Sequence, residues 1–375
     1  MIQRPCYCNR DEAMRAVDFK DGVLAVAAVD RALQSVAGSI EKALHRQFYP
    51  IDATYRFTWP NYQYAEPWRY WLGRHDLQCL TSLQSPGDTE IPLWQVFLEP
   101  VNRWPGEAYT HVELDRSTVA AWGIGPTPQH SIWMTGTWGF TADADQVAAL
   151  AAGIGASDTT ITVSTGAQLG AGDVLIIGYG RGDAPFPTYP GTAGAIAPYL
   201  GERIIVQDKG PADAGLTLSG TGCTTAANSD TALTVSGGSL TAGDVVLVDQ
   251  ELMFVERVVA GVATVSRAWA GSILDTHATG TDVYPDRQLT VLRGQLGTTA
   301  ATADAAAAVW RHRVPQLVRD LAIAETENQV LQEVSGYSRM VGSGEAQMRA
   351  SGTALAAKWQ AATTAFGRKA RIGAI

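Results

Sequence analysis

Charge is scarce in this chain. Asp, Glu, Lys and Arg together make up 17% of 375 residues, and histidine adds six more. The formal charge is −9, which argues against a protein whose work is gripping phosphates, since that binding draws on Lys and Arg that displace counterions. An acidic wall past which DNA slides remains compatible with it. Cysteine is also sparse, at 6, 8, 79 and 223, with no Cys-x-x-Cys pair and no histidine at ligand spacing. Cys6-Tyr7-Cys8 is too tight for a zinc knuckle, so no metal site is expected, and the chain reads as cytosol-assembled and free of disulfides. No apolar run approaches the ~20 residues of a membrane span, and Met-Ile-Gln-Arg-Pro-Cys has no apolar leader core. A protein of this kind would leave the cell only inside a larger particle.

Catalytic groupings are missing too. The histidines at 45, 75, 111, 130, 277 and 312 form no His-x-His or His-Glu-x-x-His pattern, and there is no Gly-x-Ser-x-Gly elbow. Gly178-Tyr-Gly-Arg-Gly lacks the Gly-Lys-Ser/Thr ending of a phosphate loop and leads into a proline-rich stretch, 184–198. Its Arg181-Gly-Asp183 is a weak adhesion tripeptide. The carboxylates Glu202, Asp208, Asp213, Asp244, Asp249, Glu251 and Glu256 would suggest glycosidase chemistry only if two faced each other across a cleft, and they read as solvated surface. Neither an enzymatic activity nor a cofactor is expected.

What is present is repetition. Thr264-Val265-Ser266-Arg267, Gly271-Ser272 and Val283-Tyr284 recur at one constant offset as Thr290-Val291-Leu292-Arg293, Gly297-Thr298 and Val309-Trp310. A second repeat aligns Asp158-Thr-Thr-Ile-Thr-Val-Ser-Thr-Gly and Ala171-Gly-Asp-Val with Asp230-Thr-Ala-Leu-Thr-Val-Ser-Gly-Gly and Ala242-Gly-Asp-Val. These are strands and turns of a small barrel or sandwich, a building unit and not an active site. The first copy lacks the Thr-Val-x-Arg finish, which appears only at 290–310. One module is therefore expected inside the other, with 223–285 complete and 150–222 completed by 286–310. Contacts between 159–177 and 288–310 would mark that arrangement.

Around the repeats lie segments of other character. Asn9 caps a short helix, 10–19, with Glu12 at the capping-box position. A helix over 21–46 carries the stripe Val26, Val29, Leu33, Val36, Ile40. It either packs on its own domain or forms a seam between neighbouring copies in a ring. From Thr54 to Phe140 short extended runs alternate with Pro and Gly, over Thr54–Trp59, Leu77–Thr81, Trp94–Leu98, His111–Leu114 and Ser131–Met134. Eight of the eleven tryptophans fall between 59 and 138. They make either a carbohydrate platform or a small core closed by bulky rings. Pro315 suits the first turn of a helix running to about Ser335, with Leu317, Leu321, Ala324, Leu331 and Val334 on one stripe. Gly342–Gly344 is a joint, and a last helix spans Glu345–Ala365. Arg349, Lys358, Arg368, Lys369 and Arg371 leave the end wholly basic, either a solvated tail or one that docks into an acidic groove or onto DNA.

The string from Arg267-Ala-Trp-Ala-Gly-Ser to Leu289-Thr-Val-Leu-Arg-Gly resembles segments common in neck and tail proteins of bacteriophages. Arg46-Gln-Phe-Tyr-Pro ending a helical start, Thr135-Gly-Thr-Trp-Gly-Phe140 ending a β-stretch, and a later helix beginning Val314-Pro resemble the head-to-tail adaptor (connector) family of long-tailed phages. In that family the Gly-Thr-Trp-Gly segment is soon followed by the Pro-started helix, whereas here the whole of 143–310 intervenes. The resemblance covers 1–142 and 311–375. It implies an α+β fold: a helical connector core with a small β-region, interrupted by inserted barrel- or sandwich-like modules over 143–310, with 311–375 completing the core. It also implies a structural virion protein at the head–tail interface, assembled in the host cytoplasm. About a dozen copies would form a ring under the portal protein, continue the DNA channel without sequence-specific binding, and dock a neck, stopper or tail terminator protein. By this analogy Arg349, Lys358, Arg368, Lys369 and Arg371 contact the portal or tail, the stripe at Val26–Ile40 contacts the neighbouring copy, and deleting Gly367–Ile375 blocks assembly without unfolding the chain. The competing expectation is a tail-tip or fibre protein that holds a host glycan.

Overall fold

The computed structural model describes residues 1–17, 26–59, 66–102, 107–123, 125–178, 201–220, 223–334, 340–341, 348–349 and 352–368. Four helices gather the two ends of the chain. In α1 (Arg10–Val17) the Glu12 N–H donates to Asn9 Oδ1 at 3.0 Å and the Asn9 N–H donates to Glu12 Oε2 at 3.3 Å, a reciprocal cap that satisfies two donors the helix leaves open. Helix α2 (Val26–Leu44) buries Val29, Leu33, Val36, Ile40 and Leu44 against α3 (Gln316–Val334), which supplies Val318, Leu321, Ala322 and Val330. Helix α4 (Gly352–Phe366) adds Ala362, Leu355 and Trp359 to the same cluster. Each such side chain contributes about 1.5–3 kcal/mol on burial, so this one seam accounts for why the first and last parts of the chain stay together.

Between α2 and the repeats, two three-stranded antiparallel sheets enclose an aromatic core. Strands β1 (Ile51–Phe57), β2 (Arg69–Trp71), β3 (Leu77–Gln84), β4 (Val96–Glu99), β5 (His111–Leu114) and β6 (Ile132–Trp138) arrange as β1-β6-β3 and β2-β5-β4. Phe57, Tyr70, Leu80, Trp122, Met134 and Trp138 fill the space between them.

The repeats build two barrels of one design. The first uses β7 (Ala144–Ala149), β8 (Thr160–Thr162), β9 (Val174–Ile177) and β10 (Glu202–Gly210). The chain then leaves it to form β11 (Leu216–Leu218), β12 (Ala232–Ser236), β13 (Val245–Val248), β14 (Glu251–Val259), β15 (Val262–Ser266) and β16 (Asp282–Pro285). It returns as β17 (Gln288–Gln295) and β18 (Ala308–His312). The inner six strands close in the order β11-β12-β15-β14-β13-β16. The outer six follow the matching order β7-β18-β9-β10-β17-β8. Its two end strands also meet, through a Leu150–Val163 bridge and the Ala151 N–H bond to Thr162 O at 2.8 Å. Strand β17 pairs with β8 at Thr290–Thr160 and β18 with β9 at Trp310–Ile176, so 159–177 and 288–310 share one sheet. Strand β11 belongs to the inner barrel, which therefore starts before the expected boundary at 223, because even this short strand pairs with both β12 and β16.

The expected helical connector core with a small β-region is not what the chain forms. Among the described residues twenty strands stand against four helices, a closed six-stranded barrel is present, and the architecture is predominantly β. The strands over 51–138 are three to eight residues long and separated by Pro and Gly turns, too short to show sustained alternation, which is why two sheets read as an appendage. At the C-terminal end, Met340–Val341 pairs with Met348–Arg349 as β19 and β20, so the last helix begins at Gly352 and not at Glu345. The joint at 342–344 lies outside the described residues. In α3 the buried face runs through Val318, Leu321, Ala322 and Val330, while Leu331 is 37% exposed, a rotation of the expected stripe toward α2. No helix among the described residues is long and apolar enough to cross a membrane.

Candidate functional site

The repeated arginines define the first cluster. Arg267 directly follows β15 and meets Glu251 at the start of β14, donating from Nε to Oε1 at 2.7 Å and from Nη2 to Oε2 at 2.6 Å. The Ala268 and Asp275 N–H groups complete the carboxylate at 2.9 and 3.1 Å. The outer barrel repeats this atom for atom. Arg293 holds Glu202 at 2.7 and 2.6 Å, and the Gly294 and Ala301 N–H groups donate at 2.7 and 3.1 Å. Burial pushes the Glu251 carboxyl up, but the bonds from Arg267, His277 and two backbone amides outweigh it and bring it down to about 2. The Glu202 carboxyl is lowered through the same balance. Both carboxylates are ion-paired acceptors without a free proton to give, so they suit a bracing role and not acid catalysis.

The inner barrel adds His277, buried, with Nδ1 2.7 Å from Asp249 and Nε2 2.9 Å from Glu251. The equivalent position of the second repeat copy is Ala303, so the outer barrel has no counterpart. Asp244 and Asp173 occupy matching turns, each accepting from the backbone N–H three positions earlier, at 2.8 and 2.9 Å. Glu202, Asp244 and Glu251 are thus buried and bonded, and not the solvated surface expected. Spacing could not reveal this, because the glutamates lie 16 and 91 residues from their arginines.

The second cluster joins the chain ends. Phe48, Phe140 and Phe366 pack edge to face in a triangle, with ring centroids 5.4 to 5.7 Å apart. The Arg46 guanidinium lies 4.7 Å over the Phe140 ring. His312, pushed down to about 4 by burial, is neutral and donates from Nε2 to Phe48 O at 2.8 Å. Nearby, Glu12 accepts from Arg311 at 3.0 Å and from Arg319, and Asp173 accepts from Arg311 at 3.0 Å, which ties α1 to α3 and to the outer barrel. A polar cavity of about 90 Å³ beside this network is lined by Cys6, Tyr7, Tyr49, Asp173, Arg311 and His312. A wider groove of about 350 Å³, lined by Asp52, Thr81, Thr135, Thr137 and Thr298, opens between β1 and the outer barrel.

The basic residues expected at the portal are dispersed. Arg368 folds back onto the chain, with Nη2 2.7 Å from Asp76, Nη1 2.6 Å from Gly73 O and Nε 3.1 Å from His45 O. Lys358 donates to Asp320 O at 3.3 Å. Arg349 falls in β20, and Lys369 and Arg371 lie outside the described residues. Of the stripe assigned to a neighbouring copy, Val29, Leu33, Val36 and Ile40 are at most 2% exposed within this chain's own helical cluster, which leaves only Val26, at 44%, to face outward. Residues 179–200, with Arg181-Gly-Asp183, lie outside the described residues. Four tryptophans belong to the aromatic core: Trp122 and Trp138 are buried, Trp59 stacks on Trp122 at 6.0 Å and Trp68 packs against them, while Trp94 is 49% exposed and Trp104 lies outside the described residues.

Among the described residues, no group of His, Cys, Asp or Glu is placed to hold a metal ion. Cys6, Cys8, Cys79 and Cys223 are buried and none is in a disulfide, and burial pushes the Cys6 and Cys79 thiols up to about 12. Comparison with known protein families, with curated proteins and with solved structures finds no match.

Proposed function

We propose that this chain is a structural virion protein, a head-to-tail adaptor of a tailed phage that sits under the portal and receives the next neck or tail protein. The observation that carries the reading is the Phe48–Phe140–Phe366 triangle. Its first two members lie within the Arg46-Gln-Phe-Tyr-Pro and Gly-Thr-Trp-Gly-Phe segments that resemble the adaptor family. The third ends α4, the second helix after Val314-Pro. Segments separated by the whole of the inserted barrels are thus one packed unit, as an adaptor body with an insertion requires.

Two further features agree. Glu202 and Glu251 are locked in ion pairs with Arg293 and Arg267, which favours a bracing role over a hydrolytic one for them. The net charge of −9 suits a wall that DNA passes without being held. The partners that follow are the portal protein, neighbouring copies around a ring, and a tail-side neck, stopper or terminator protein. The glycan-binding alternative draws less support from Trp59, Trp68, Trp122 and Trp138, which are engaged in the aromatic core. Immunogold electron microscopy of intact and disrupted particles, with antibody raised against the whole chain, tests the reading. Label at the head–tail junction supports it, label at the tail tip replaces it with a fibre protein, and no label on either sample removes the virion assignment.

A further inference from the structure

The two barrels share a loop, and among the described residues one copy of it is met by a strand of another segment while the other is not. In the outer barrel the loop after Arg293 places Gly294, Leu296 and Gly297 at φ of 58°, 54° and 82°. In the inner barrel Ala268, Ala270 and Gly271, the equivalent positions of the repeat, take 53°, 53° and 79°. The anchoring side chain is equivalent too. Thr298 Oγ1 accepts the Arg203 N–H at 3.0 Å, and Ser272 Oγ accepts the Leu252 N–H at 2.9 Å. Left-handed φ at alanine and leucine is costly, so its reproduction in both copies marks a held conformation and not a chance turn.

In the outer barrel this loop receives a strand. The Asp52 N–H at the start of β1 donates to Leu296 O at 2.9 Å, and the Asp52 carboxylate pairs with Arg203 Nη1 at 2.9 Å. In the inner barrel the residue carrying the matching acceptor, Ala270, is exposed, and its carbonyl oxygen takes no backbone hydrogen bond from another segment among the described residues. The matching side chains are apolar: Leu252, half-buried, stands where the outer barrel has Arg203, and Ile273, 76% exposed, stands where it has Thr299.

We infer that the face formed by Leu252, Ala270 O and Ile273 is a docking site for an extended segment of a different polypeptide, one that donates a backbone N–H to Ala270 O and sets an apolar side chain where β1 sets Asp52. Edge pairing of this kind draws affinity from main-chain bonds and specificity from the side-chain pocket. The replacement of Arg203 by Leu252 fixes the chemistry, since a carboxylate placed there would be desolvated without a cation. A second copy of this chain is not the source, because its equivalent strand is already held by its own outer barrel. The inference rests on the comparison of the two barrels and not on the adaptor reading.

The probe is a synthetic peptide of residues 50–58 carrying leucine in place of Asp52, titrated to millimolar concentration against the full-length protein alongside the unmodified peptide. The leucine peptide is expected to bind at least tenfold more tightly, and Ile273→Asp, a change at an exposed position, to abolish that binding. Leu252→Arg should reverse the preference toward the Asp52 peptide. Absence of leucine-peptide binding, or binding unaltered by Ile273→Asp, overturns the inference. Self-association in sedimentation that Ile273→Asp removes overturns the assignment to a different polypeptide.

Discussion

Arg293 closes on Glu202 through two parallel hydrogen bonds, 91 residues apart in sequence, and the inner barrel lies wholly within that interval. The outer barrel is therefore held shut by a pair whose members are translated before and after another complete barrel. Arg267 and Glu251 make the same pair inside the insert. In both, the remaining guanidinium hydrogens are directed at carbonyl oxygens of the flanking loops: Gly155, Asp158 and Ala301 in one, Thr225, Asp230 and Asp275 in the other. The arginine thus fixes one end of each barrel as well as its paired acid.

Removing one partner of such a pair should be severe. Arg267→Met leaves Glu251 buried without its cation and is expected to cost about 3–5 kcal/mol, read as a lowered urea midpoint for the inner-barrel transition. Acid should act on the same contact. The Glu251 carboxyl is held at about 2, below its unfolded value near ~4.3. Its contribution is therefore fully present above about pH 4.3 and is lost as pH falls through about 2. Glu251→Gln should flatten the dependence of Tm on pH across that window, and an unchanged slope would count against the assignment.

Asp286, in the turn between β16 and β17, should behave in the opposite sense. Burial raises its carboxyl to about 7, Lys209 pulls it down, and Asp11, Asp208 and Asp244 push it further up. A carboxyl raised on folding binds its proton more tightly in the native state, so stability falls as pH rises from about 4 to about 7 and stays lower above that. Asp286→Asn is expected to raise Tm at pH 8 and to leave it nearly unchanged at pH 4. Hydrogen exchange at the junction of the two barrels would locate the effect.

The basic tail carries a different expectation from the one its composition suggests. Arg368 and Arg46 are the cations beside Asp76, whose side chain is 5% exposed. Deleting Gly367–Ile375 removes one of them and should destabilise the chain. Arg368→Ala is expected to cost about 1–3 kcal/mol, the range for stripping a partner from a buried polar group. Equal stability of Arg368→Ala and the unaltered chain in urea would return Arg368 to the residues free to meet a partner.

What can be read from the chain, and what cannot, divides along sequence distance. The Asn9–Glu12 cap is legible because its two members sit one helical turn apart and that turn sets their geometry. The Thr-Val-x-Arg repeat is legible as spacing, and so is the return of 290–310 to complete the first module. Glu202 and Glu251 are not, since a carboxylate at the start of a strand looks like any solvated acid until the barrel closes over it. The stripe from Val29 to Ile40 shows that α2 buries a face but not what covers it; the cover, α3 and α4, begins only at Gln316. Arg368 escapes for the same reason: a basic residue in a tail has no visible partner when Asp76 lies in the first third of the chain.

Gly297 tests whether the outer barrel is docked as the structure has it. Its φ is 82°, a region that glycine occupies freely and other residues at a cost, and a Cβ built there would overlap the Asp52 carbonyl oxygen. That oxygen belongs to the backbone of β1, so it cannot swing aside as a flexible side chain would. Strain and overpacking together put the expected cost of Gly297→Val at about 2–4 kcal/mol. The loss should be local first. The Asp52 N–H, bonded to Leu296 O at 2.9 Å, should exchange with solvent much faster, while amides of β14 and β15 in the inner barrel keep their protection. If Asp52 remains protected in the variant, β1 is held by its pairing with β6 alone and the barrel's loop adds nothing to it. If protection is lost through both barrels at once, the insert and its host unfold as one cooperative unit and not as a hinged pair.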